Sequence, residues 1–119
     1  MAKPVPIFRG DDQTFQADAC LPLVEACRAN RVHLEALVHG HYPGKRLPSS
    51  ALPGLKTVGF WDGAGEQPWG LPWHRNEGVE ITWLESGTFS FTVDDREHDL
   101  KPGDITVTRP WQLHRVGNP

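Results

Sequence analysis

The stretch VEITWLESGTFSFTVDDREHDLKPGDITVT, residues 79–108, decides the fold. Phe89, Phe91 and Val93 alternate with Thr88, Ser90 and Thr92, the period of a half-buried strand. Ser86-Gly87 predicts a turn before that strand, and Asp94-Asp95 a tight turn into a second strand over 96–100. Lys101-Pro102-Gly103-Asp104 is a further turn signal, leading into a strand over 105–108. Val79 to Leu84 is also a strand. Glu80, Thr82 and Leu84 share one of its faces, and Val79, Ile81 and Trp83 the other. Short strands at close spacing predict a β-sandwich or barrel.

Working outward, Leu113 to Val116 reads as a further strand. On the N-terminal side, Asp62 to Pro72 is a loop holding Gly63, Gly65, Pro68, Gly70 and Pro72. Leu55 to Trp61 is a strand, and Gly40 to Gly54 a loop. Val32, Leu34, Ala36 and Val38 alternate with His33, Glu35, Leu37 and His39, giving another strand. One helix precedes it. Asp18 suits its N-cap, Pro22 its first turn, and Cys20, Leu23, Val24 and Cys27 make its apolar stripe. Arg28 and Arg31 suit its C-terminal end, and Asn30 a left-handed cap. Residues 1–17 show no period and read as an arm, with residues 18–119 as one domain.

Length and composition agree with this. The chain has 119 residues, below the roughly 150 typical of one domain. Its 38% hydrophobic and 23% charged content is that of a folded globular chain. Its 12 glycines and 11 prolines suit strands joined by turns better than a helical bundle. The formal net charge of -3 argues against nucleic-acid binding by these residues, which would need a basic face. No apolar run is long enough for a transmembrane helix, and the first residues lack a signal-peptide core, so a cytoplasmic protein without membrane contact is expected. Cys20 and Cys27, seven apart on a helix, would lie about 10 Å from each other, too far for a disulfide.

Two segments carry chemistry. His74, Asn76, Glu80 and Gly87 stand in the first, and Gly103, Pro110, His114 and Asn118 in the second. Their order and spacing resemble the two cupin motifs, the first being His-x-His, three or four residues, Glu, six residues, Gly. Asn76 stands where that pattern has its second His, and Pro110-Trp111-Gln112-Leu113-His114 shortens the Pro-x-Gly-x-x-His turn. Among cupins, residues 70–118 most resemble the N-terminal sensing domain of AraC-type transcription regulators. The shared features are Glu85-Ser86-Gly87, the Leu100-Lys101-Pro102-Gly103-Asp104 turn, and then Pro110 and His114.

The resemblance implies an all-β fold, a cupin jelly-roll (double-stranded β-helix) barrel with one N-terminal α-helix. It implies an effector-sensing domain that binds a carbohydrate or related small metabolite, with no cofactor and no catalytic residue. DNA would be reached only through a C-terminal helix-turn-helix domain that does not follow in this chain, and a homodimer is a further expected partner. The expected ligand-binding residues are His74, Asn76, Glu80, Trp73, Trp111, Gln112 and His114. Hydroxyls would meet the polar groups and a sugar ring would stack on tryptophan. The alternative is a small metal-dependent cupin enzyme, a dioxygenase or isomerase, holding a divalent metal on His74, Glu80 and His114. A third reading is an interaction domain whose pocket is filled by its own side chains. His33, Glu35 and His39 form a rival polar face, more in keeping with a solvated strand face than with a site.

Overall fold

A computed structural model of the chain describes residues 7–9, 14–16, 20–63 and 65–117. In chain order the elements are β1 (Ile7–Arg9), β2 (Thr14–Gln16), α1 (Leu21–Arg28), β3 (Val32–Val38), β4 (Lys45–Arg46), β5 (Thr57–Gly63), β6 (Leu71–His74), β7 (Glu80–Trp83), β8 (Phe89–Val93), β9 (Arg96–Leu100), β10 (Ile105–Thr108) and β11 (His114–Val116). The protein is mostly β with one short helix, consistent with a jelly roll. It divides into two compact units, one built from α1 and β3–β5, the other from β1, β2 and β6–β11. No helix among the described residues is long and apolar enough to cross a membrane.

In the first unit β3 is the middle strand of the order β4-β3-β5. It pairs antiparallel with β5 from Val32↔Gly63 to Val38↔Thr57, and parallel with β4. The alternating sequence sorts as expected: Val32 and Val38 are buried, while His33, Glu35 and Leu37 are exposed. Leu23 and Ala26 of α1 are also buried. Gly59 lies opposite Ala36, where a methyl would strike the Glu35 carbonyl and the Ala36 backbone, so only glycine lets the strands approach there. His33 and Glu35 lie 3.8 Å apart with both side chains 67% exposed, the solvated pair expected of an outer strand face.

The helix starts later than its sequence suggests. Its N-cap is Cys20, in a left-handed conformation and making no side-chain cap, while Asp18 lies outside the described residues. Pro22 does sit in the first turn, Arg28 in the last, and Asn30 has φ 57°. Both cysteines are free thiols.

In the second unit β6, β11, β8 and β9 form a four-stranded sheet in that order, with antiparallel neighbours throughout. β8 lies inside it, and Ser90, Phe91 and Thr92 are buried in succession, so both faces of the strand are covered. The Asp94-Asp95 turn has φ 50° and 60°, the doubly left-handed geometry of a two-residue hairpin. β7 and β10 form a separate antiparallel ribbon, from Trp83↔Ile105 to Glu80↔Thr108. The 101–104 turn closes on itself through Asp104 N–H to the Lys101 carbonyl at 3.0 Å. Gly103 N–H to Leu84 O at 2.8 Å then ties that turn to the end of β7.

One expectation needs correction. The segment 62–72 is not all loop: β5 runs on to Gly63 and β6 begins at Leu71. Pro72 is tolerated because β6 is the sheet edge, where a missing N–H breaks no inner ladder. Within residues 1–17, β1 and β2 pair antiparallel from Ile7↔Gln16 to Arg9↔Thr14.

Candidate functional site

The register of the four-stranded sheet builds the site. β11 sets His114 directly opposite His74 of β6 on one side and Val93 of β8 on the other. Residues opposed in an antiparallel pair point to the same face, so the two imidazoles are neighbours. Their centroids are 4.1 Å apart with the rings tilted by 57°. His114 is completely buried, with the Phe91 ring 5.9 Å away.

Both imidazoles are tethered alike. His114 Nδ1 lies 2.8 Å from the Gln112 carbonyl, and His74 Nδ1 lies 2.7 Å from the Pro72 carbonyl. A carbonyl oxygen only accepts, so each Nδ1 carries the hydrogen and each Nε2 presents a lone pair. Burial, with His114 beside it as the second cause, pushes the His74 pKa down from 6.5 to about 4, against the opposing pull of the Pro72 carbonyl. His74 is therefore uncharged near neutral pH.

Asn76 and Glu80 complete the group. The Asn76 side-chain amide donates to Glu80 Oε2 at 2.6 Å, and its nitrogen stands 3.5 Å from His114 Nε2. One NH₂ group thus bridges a carboxylate and an imidazole lone pair. Glu80 Oε1 is 3.9 Å from His114 Nε2. Asn76 is itself held in place: Trp111 N–H donates to its backbone carbonyl at 2.8 Å, and Arg75 Nη1 donates to the Trp111 carbonyl at 2.6 Å. Trp111 takes φ 65° to make this clasp.

The structure brings together His74, Asn76, Glu80 and His114 from the expected set. Two of the other three make their contacts elsewhere. Trp73 points to the opposite face of β6 from His74, where the Arg115 guanidinium sits 5.1 Å above its ring. Trp111 serves through its backbone. The Gln112 amide is engaged on the β8–β9 turn, donating to Asp94 at 3.1 and 3.0 Å and accepting from Arg109 N–H. Two residues went unread in the sequence. Arg75 gave no signal, because its partner is a carbonyl 36 positions away. Thr108 opposes Glu80 in the ribbon and is buried, and its hydroxyl has no hydrogen-bond partner. Only the β7–β10 register could reveal that.

A cavity of about 590 Å³ opens between β9 and β10, lined by Phe91, His98, Leu100 and Thr106 among others. The four polar residues do not line it. Phe91 is common to both, lining the cavity while packing against His114.

A divalent metal was one expectation for this group, and the donor set is partly suited to one: two Nε2 lone pairs with tethered Nδ1 atoms, and a carboxylate. The arrangement is not. An amide N–H lies between the carboxylate and the His114 nitrogen. Among the described residues no group of three or more His, Cys, Asp or Glu is placed to hold a metal ion.

No curated protein and no solved structure matches the chain. Residues 63–119 match the family model described as Cupin domain, and this match supports a cupin fold for the segment that carries the site.

Proposed function

We propose that this protein is the effector-binding part of an AraC-type transcription regulator, taking a carbohydrate or related small metabolite at His74, Asn76, Glu80 and His114. The observation that carries the reading is the Asn76 amide bridging Glu80 and His114, beside the unpartnered Thr108 hydroxyl. A ligand hydroxyl is donor and acceptor at once, and this group offers carboxylate and imidazole acceptors together with amide and hydroxyl donors. Such sites fix orientation through a few placed polar groups on an apolar wall, here Phe91. The order of the two motifs supports the regulatory context. Binding would shift a conformational population that a helix-turn-helix half reads on DNA.

The test is a thermal-shift screen of neutral sugars and sugar acids against the wild type and Asn76→Ala. A ligand at a hundred times its Kd stabilises by about 2.7 kcal/mol, a shift of several degrees in a domain this size. The reading requires at least one such ligand whose effect Asn76→Ala removes. Stabilisation by none, or equal stabilisation of the variant, overturns it.

A second reading, a metal-dependent enzyme on His74, Glu80 and His114, would require the Asn76 amide to leave the space between Glu80 and His114; what favours it is that both imidazoles keep Nε2 free of backbone partners. Elemental analysis of protein purified without a metal-binding tag separates the two. Near one equivalent of iron, manganese, nickel or zinc per chain would support the enzyme over the sensor.

A further inference from the structure

Along one side of the second unit the strands part. β9 is the outer strand of the four-stranded sheet and β10 belongs to the separate ribbon, so the 101–104 turn joins two strands that do not pair. The cavity of about 590 Å³ lies in that cleft, within the roughly 300–1,000 Å³ usual for small-molecule sites. Its floor is apolar, with Phe91 and Leu100 buried and Val93 half-buried. Thr106 interrupts this wall: it lines the cavity and is only 7% exposed. Among the described residues its hydroxyl has no hydrogen-bond partner. Leaving such a group unpaired is unfavourable, and a hydrogen-bonding ligand relieves it.

The rim carries one sign of charge. Exposed Glu97 and Asp99 and half-buried Asp104 line the cavity, and no lysine or arginine lines it among the described residues. An edge strand offers residues of both its faces to a cleft, which is how Glu97 and Asp99 reach it together with Leu100. Asp104 spends one oxygen on the Lys101 backbone N–H at 2.8 Å. Glu97 and Asp99 have no ion-pair partner among the described residues. The carboxylates do not converge on a metal, because no group of three or more His, Cys, Asp or Glu among the described residues is placed to hold one. Their charge suits an organic cation.

We propose that this cleft is a second binding site, separate from the His74 cluster, for a small primary amine with an apolar body. The body covers Phe91, Val93 and Leu100, the ammonium meets the Glu97, Asp99 and Asp104 carboxylates, and the Thr106 hydroxyl accepts one of its hydrogens. An anion of the same shape meets three like charges, and a neutral one gains nothing from the rim. Phe91 also stands 5.9 Å from the His114 ring, so the two sites share one wall.

The experiment is an amide-shift NMR titration of the full chain at neutral pH, where primary amines are protonated. The probes are cyclohexylmethylamine, 2-phenylethylamine and tryptamine, with 2-phenylethanol and 3-phenylpropionate as neutral and anionic comparators. At least one amine is expected to bind with a Kd of about 1 mM or below, moving amides of β9, β10 and the turn between them. The comparators are expected to bind at least tenfold more weakly. Replacing both rim carboxylates, Glu97→Gln with Asp99→Asn, is expected to weaken the amine about tenfold. Both side chains are exposed, so a thermal melt should show that variant folded. Asn76→Ala is expected to leave amine binding within a few-fold of wild type. The proposal is overturned if no amine binds below about 10 mM. It is equally overturned if 2-phenylethanol binds as tightly as the amines, or if the double variant binds them as tightly as wild type. Shifts centred on the His74 cluster and abolished by Asn76→Ala also overturn it, because the amine then occupies the first site. The neutral-sugar screen described above reads that first site alone, so the two proposals fail separately.

Discussion

His74 and His114 face each other across the β6–β11 pair, 4.1 Å between ring centroids, each with its Nδ1 tied to a carbonyl two residues upstream. The tethers orient two lone pairs in a largely buried place where a positive charge is unwelcome.

That relationship sets a pH dependence. The folded-state pKa of His74 lies at about 4, below its ordinary 6.5. Between those values the unfolded chain binds more protons at this position, so stability rises with pH across the window. The contribution is complete above about 6.5 and is lost as pH falls towards 4. After allowance for partial exposure it amounts to roughly 2–3 kcal/mol. Urea denaturation of wild type and His74→Phe at pH 4.5 and 7.5 checks this. The stability difference between the two proteins should move by that amount, and parallel profiles would contradict it.

His114→Ala should destabilise the second unit by about 2–4 kcal/mol, because a completely buried ring leaves a cavity and strands the Gln112 carbonyl. Denaturant titration followed by tryptophan fluorescence measures this. A loss below about 1 kcal/mol would mean the site collapses around the gap.

Thr108→Val should raise the stability of the ligand-free protein by about 1 kcal/mol, because it removes a buried hydroxyl with no partner. The same variant should lose affinity for a hydroxylated ligand by about tenfold, since that hydroxyl stands beside Glu80. Calorimetric melts with and without ligand read both effects. Their opposite signs separate a binding role from a packing role.

Asp95→Gly should stabilise by about 0.5–1 kcal/mol. Asp95 sits at φ 60° in the two-residue turn, a conformation that glycine adopts without penalty. A rise in Tm of a few degrees is the expected result, and a fall would mean that the Asp95 side chain supports the turn.

The strands from 79 to 108 were legible because alternation and turn residues agree there at every step. β6 was not, because Gly70 and Pro72 look like loop, and only pairing with β11 makes the segment a strand. The misplacement of Trp73 follows from that one omission: with β6 recognised as a strand, alternation puts Trp73 and His74 on opposite faces. Motif spacing found His74, Asn76, Glu80 and His114. It could not find the Arg75–Trp111 clasp, which depends on loop backbone. The two faces of β7 were separable in the sequence, but which one turned inward was not. The neighbouring strands decide that, and they leave Trp83 and Ile81 outside.

The stacking of Arg115 on Trp73 has a consequence for how this gene can vary. His114 and Arg115 are consecutive, yet one serves the buried cluster and the other the opposite face of the sheet, where it also reaches Thr92. Losing a single codon between Thr108 and His114, if β11 then pairs with β8 one residue out of its present register, would exchange them. The guanidinium would enter the imidazole's dry socket and the imidazole would turn outward. Point substitutions at Pro110 or Leu113 leave that parity intact. The linker from β10 to β11 can therefore drift in composition while its length stays locked, which marks in-frame single-residue deletion, more than any substitution there, as the lesion this region does not survive.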